Sequence, residues 1–209
     1  MLASRSLTGW ILTLGPIVTF VGFLGFVFPA LGGSTPDGST EFIKLMGENA
    51  DIIEFGSIIG TFGLCLHAAG IALLNSQMKD GSGSQIMLAG TIIYVMGTAG
   101  FIMESALFSN AAEWGASEGF LDGIMFYNLA QAIGSWATFF TLIGFSIVGL
   151  AILIQKNFSM ILAYAFIVIG LAGATIAIID YSSDLMIIGY LGNAILLVIT
   201  GILTIRSKE

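Results

Sequence analysis

Charge is what this chain has least of. Charged residues make up 9% of its 209 positions, against roughly 25% in ordinary soluble domains, and 56% are hydrophobic. The mean hydropathy is +0.99. A soluble core of this size cannot hide that much apolar surface, so the solvent for much of the chain is a lipid bilayer. Cysteine and histidine are almost as scarce, with one of each. A single cysteine excludes a disulfide framework within the chain and a CxxC redox site. Cys65, among Gly, Leu and Phe, reads as a packing residue. One histidine with no cysteine cluster does not support a tight zinc or copper site, so neither metal nor cofactor is expected. No phosphate loop is present, since "GSGS" at 81–84 is followed by no GK[ST]. Nothing points to nucleic acid.

What the chain has in abundance is long apolar runs. Six stretches of about 20 residues or more, near 7–31, 52–75, 86–108, 126–154, 159–180 and 185–205, are separated by polar breaks. The runs are too long and unalternating for barrel strands. The fold class they predict is an all-α membrane protein, a six-transmembrane-helix bundle forming one domain over 1–209. The first run exceeds the roughly 7–15 residues of a signal-peptide core and is expected to be retained as a span. Between the first two spans, Ser39 can cap a short helix over about 39–46 that stops at Gly47. Its Phe42, Ile43, Leu45 and Met46 predict that it lies along the outer interface.

Orientation follows from Lys and Arg. With six spans, Arg5, Lys79, Lys156, Arg206 and Lys208 share one side and only Lys44 lies on the other. The first side, with both termini, is expected to be cytoplasmic in a multi-pass cell-membrane protein. The outer side nets −10 and the inner +3. An acidic outer face is either simply solvated or a field that attracts cations. The Asn157-Phe158-Ser159 sequon falls inside, where it would not be used.

A hairpin repeat is visible in outline. "MLAGTIIYVMGTAG" at 87–100 is similar to "ILAYAFIVIGLAG" at 161–173 with one gap, so spans two and three resemble spans four and five. The layout is a first span, a long outer loop with a short helix, four hairpin-linked spans with the tight turn "LIQKNFSMILAY", and a final span. It resembles a family of uncharacterised six-helix prokaryotic integral membrane proteins, classed only as a domain of unknown function. The resemblance implies an archaeal or bacterial membrane and carries over no functional residue.

Polar residues inside the spans are the candidate sites. On a wheel at 100° per residue, Gly56, Gly60 and Gly63 fall within about 40° of His67, and Gly70 within about 60°. His67 therefore faces a helix-packing stripe of small residues. Tyr94, at matching depth on the next span, is its expected hydrogen-bond partner. Glu54 and Glu104 share a depth near the outer helix ends, with Asn128 and Gln131 on span four and Asp180 at the outer turn close by. These five residues are the candidate cation or proton site, because two adjacent carboxylates do not both ionise cheaply without a cation between them.

Two function classes remain. One is a structural or accessory subunit that packs against other membrane subunits or its own copies. The other is a carrier or receptor for a small cation or proton-coupled solute entering through an acidic outer vestibule, with Asn193 as the next polar stop. An enzyme is not expected. "WGASEGF" at 114–120 and "LHAAG" invite comparison with an intramembrane serine protease, but Ser117 lies in an outer loop, far in depth from His67.

Overall fold

The computed structural model describes residues 4–32, 38–117 and 120–207, and these are helical with no strand among them. Six helices are long and apolar enough to cross a membrane. They are α1 (Arg5–Ala30), α3 (Ala50–Met78), α4 (Ser84–Gly115), α5 (Phe120–Gln155), α6 (Met160–Ile179) and α7 (Met186–Arg206). The short α2 (Thr40–Glu48) precedes α3. Serine side chains start three of them: Ser4 accepts from the Leu7 N–H, Ser39 from Phe42 and Ser159 from Leu162, each satisfying an orphan donor of the first turn.

The spans pack as a closed circuit in chain order, α1 on α3, α3 on α4, α4 on α5, α5 on α6, α6 on α7, and α7 back on α1. Gly9 near the start of the chain meets Gly201 and Ile205 near its end, so both termini lie at one end of the bundle. We call this the terminal end and the opposite one, carrying α2, the cap end. The α1–α3 seam depends on absent side chains. A Cβ on Gly22 would lie on the Gly60 backbone, and one on Gly60 would meet the Phe23 ring at 2.6 Å. Such close approach lets van der Waals contact hold helices that gain no hydrophobic energy from meeting in lipid. Gly56, Gly63 and Gly70 extend the seam toward both ends, and all are buried.

In the terminal half, Leu12, Leu74, Met87, Phe145, Phe166 and Leu197 belong to one buried cluster that fills the circuit. At the cap end, α2 buries in the bundle the apolar residues that its sequence suggests would lie along an interface. Phe42, Ile43 and Met46 are buried beneath it with Ile53, Ala111 and Tyr127, so its apolar face turns into the bundle and closes it. Gly47 is not a stop. The helix runs on to Glu48, and Gly47 is buried where a Cβ would strike the backbone of Gly115 and Ala116. The expected hairpin duplication finds no support: the arms are 29 and 32 residues in α3–α4 but 36 and 20 in α5–α6.

One wall departs from α-helical winding. In α1, Phe23–Val27 form a π-helical turn in which the Phe28 N–H reaches back to the Phe23 carbonyl. Pro29 explains it. Its ring has no N–H for the Gly25 carbonyl and crowds that oxygen, so the preceding turn widens by one residue.

Candidate functional site

Between the cap and the filled terminal half lies a cavity of about 310 Å³. Its walls come from α1, α3, α4, α5 and α7, and Tyr181 reaches in from the α6–α7 turn. Most of the lining is apolar, including Phe23, Phe101, Phe108 and Leu142, but two sets of polar side chains enter it.

The first set is a hydrogen-bond chain. The Tyr181 hydroxyl donates to Glu104 Oε1 at 2.7 Å, the Tyr190 hydroxyl donates to Tyr181 at 3.2 Å, and Thr138 Oγ1 pairs with Tyr190 at 3.1 Å. Loss of solvation, reinforced by Tyr190 and Glu104 beside it, holds the Tyr181 phenol well above its ordinary pKa, so it remains a donor. Opposite the carboxylate stands Gly134. A Cβ there would come within 2.5 Å of the Glu104 carboxyl carbon and 2.7 Å of the Tyr181 oxygen. The absence of a side chain at 134 is what admits Glu104.

The second set is Thr19, His67 and Asn193. Tyr94 Oη lies 3.4 Å from His67 Nδ1, and Thr19 Oγ1 lies 3.3 Å from His67 Nε2. Thr19 also donates its hydroxyl proton to the Gly15 carbonyl at 3.1 Å. Its oxygen is therefore left to accept, which puts the ring proton on Nε2 and makes Nδ1 the acceptor from Tyr94. Tyr94 is fully buried, with Asn193 beside it.

Among the described residues, three buried side-chain atoms at the cavity have no partner: Ser57 Oγ, Thr141 Oγ1 and Asn193 Oδ1. Their residues are 3%, 3% and 7% exposed. Buried polar atoms are nearly always paired in folded proteins, and these three, enclosed on residues that line the cavity, are not.

The candidate cation site of the sequence does not assemble. Glu54 is exposed, on the outer side of α3, and lines a shallow groove with Ser57, Thr61, Ser105, Ser109 and Asn110. Glu104 is partly buried in the central cavity. Ser57 and Ser105 border both recesses. Asn128 is exposed and faces the loop at Gly38. Gln131 donates to the hydroxyl of Tyr127 on its own helix at 2.7 Å. Asp180 is exposed and accepts from the Ser182 N–H in its own turn. Shared depth brought these residues to one level, but their helix faces send them apart. In their place stand Tyr181, Tyr190 and Thr138, which sequence reasoning missed. Thr138 follows Gln131 by two turns, so the face of α5 was readable. The fold of the Asp180–Leu185 turn over the bundle was not.

Asp37 and Glu118, counted in the acidic outer face, lie outside the described residues. Among the described residues no three His, Cys, Asp or Glu side chains group as metal ligands would. Ser117 is exposed at the cap end and donates to the Trp114 carbonyl, whereas His67 lies in the middle of the bundle. No protein-family model matches the chain, and no curated protein or solved structure is significantly similar to it.

Proposed function

We propose that this multi-pass protein is a membrane-embedded binding protein, which holds a small molecule in the cavity of its cap half. The observation that carries this reading is a mostly apolar cavity that a carboxyl group enters, with three unpartnered polar atoms on the residues that line it. Ligand sites are characteristically apolar clefts of about 300–1,000 Å³ with a few placed polar groups. A receptor fits better than a carrier. The polar path expected past Asn193 meets the apolar cluster of Leu12, Leu74, Phe145 and Leu197 in the terminal half, and carriage would require that cluster to part.

The Lys and Arg distribution supports cytoplasmic termini and an external cap. In cells, a cysteine replacing Ser117 should then react with an impermeant thiol reagent, and one replacing Ser82 should be shielded. The reverse pattern would invert the orientation. Binding itself is tested by native mass spectrometry of protein taken from its own membranes in mild detergent. A discrete small-molecule adduct should appear on the wild type and be lost from Ala194→Leu, which grows a side chain into the cavity. An adduct retained in that variant, or none on the wild type, contradicts the reading.

A second reading, as an accessory subunit, is favoured by the groove between α3 and α4. Ser57, Thr61, Ser105 and Ser109 line it, with the Thr61 hydroxyl unpartnered, and hydroxyl-bearing faces are what transmembrane helices use to pair. Cross-linking through a cysteine at Ala106 would capture a partner helix if this reading holds, and none if the groove faces only lipid.

A further inference from the structure

The chemistry of the cavity narrows its ligand to one class. Resting on the binding-protein reading above, we infer that the cavity takes a lipophilic amine in its ammonium form, drawn from the cap-side leaflet of the bilayer.

The charge argument comes first. Glu104 enters the cavity, and among the described residues lining it there is no Lys or Arg. Oε1 already accepts from Tyr181. The carboxyl group therefore has no counter-charge from this chain, so burial disfavours its ionised form, and a cationic ligand is what would offset that cost. A ligand ammonium supplies that charge. The donor count agrees. Asn193 Oδ1 is a buried acceptor with nothing donating to it, and the Ser57 and Thr141 hydroxyls can also accept. An ammonium carries donors and no acceptor, which suits the Glu104 carboxyl and the Asn193 oxygen, while the two hydroxyls can serve as acceptor or donor. Aromatic rings at Phe23, Phe101 and Phe108 line the cavity and supply apolar area for the rest of the molecule.

The route explains why the amine must be lipophilic. Of the described residues lining the cavity, Leu24 and Ile187 are the ones exposed, at 51% each. One belongs to the π-turn of α1 and the other to the first turn of α7. These two helices pack closely near the terminal end, where Gly9 and Thr13 meet Gly201 and Ile205. The cavity mouth thus lies between α1 and α7 in the cap half, on a surface that faces lipid in a membrane-spanning chain. A molecule using it arrives dissolved in the bilayer. Anionic amphiphiles would bring their own charge into a cavity with no Lys or Arg among its described lining residues and are disfavoured.

The test compares three molecules of similar shape, 2-phenylethylamine, 2-phenylethanol and 3-phenylpropanoate, by thermal unfolding of the full chain in mild detergent. The amine should raise Tm saturably, by on the order of 5 °C at a hundredfold excess over Kd. The alcohol should give less than half that shift, and the carboxylate none. Glu104→Gln should bring the amine response down to that of the alcohol. Equal shifts from amine and alcohol in the wild type, both lost in Ala194→Leu, would overturn the amine assignment and leave the binding-protein reading standing. No shift from any of the three, together with no adduct from native membranes, would end both. The wild-type comparison decides the ligand class even where Glu104→Gln yields no folded protein.

Discussion

In the terminal half of the bundle Phe145 stacks on Phe166 with ring centroids 4.1 Å apart, and neither ring is exposed. In the cap half Phe23, Phe101 and Phe108 stand around an opening. Both halves use aromatic rings, and the difference lies in what faces them. In the terminal half Leu74, Met87 and Leu197 fill the space between the helices. In the cap half the lining includes the short side chains of Ser57, Thr138, Thr141 and Ala194, which leave space between the helices. The widened turn at Phe23–Val27 forms part of one wall. A membrane bundle has little hydrophobic force to collapse such a space, because lipid is as apolar as its own core. The cavity can persist at low cost, which makes it available to a ligand.

Substitutions can break or sharpen this contrast. The largest effect should come from the seam that holds α1 against α3. Gly60→Leu should yield no monodisperse folded protein on gel filtration, because its side chain would displace Phe23 and separate the backbones. Next is the filled half, where Phe145→Ala should cost about 3–5 kcal/mol by opening a void in a packed core. The equivalent change beside the cavity, Phe101→Ala, should cost less than half of that, since Phe101 already lacks neighbours on one side. Equal losses in a denaturant titration would mean that the two halves are packed alike. His67→Gln should cost only about 1 kcal/mol, because an amide can both accept from Tyr94 and donate to Thr19, and hydrogen bonds within membrane bundles average near 0.6 kcal/mol. The smallest effect belongs to Ala194→Leu, within about 1 kcal/mol of the wild type, since its added atoms enter open space.

The spans were legible because hydropathy measures contact with lipid. The helix lengths were not. α4 continues through Ser109–Gly115 and α5 begins at Phe120, beyond the apolar runs, since polar residues outside the bilayer can remain helical. There they meet α2. His67 was readable for a different reason. Its glycine stripe gives an azimuth as well as a depth, and Tyr94 lies within reach on the neighbouring helix. Thr19, its other partner, stands in the spacing Gly15, Thr19, Gly22 on α1, a small-residue stripe that matches the one on α3. Glu54 and Glu104 were paired by depth alone. The same wheel puts Glu54 about 140° from His67, thirteen residues on, so its outward position was in the sequence. Tyr181 was not, because no periodicity describes a turn that folds over a bundle.

The central claim is that the cap half holds an accessible cavity and the terminal half does not. In a Cys65→Ala background, which removes the exposed native thiol, single cysteines at Ala194 and Leu197 separate the two halves within one turn of α7. Reaction with methyl methanethiosulfonate in membranes, read by mass spectrometry, should modify the cysteine at 194 and leave the one at 197 untouched. Adding 2-phenylethylamine should slow the first reaction. Equal modification at both positions, or protection of neither by the amine while both react, would contradict the account.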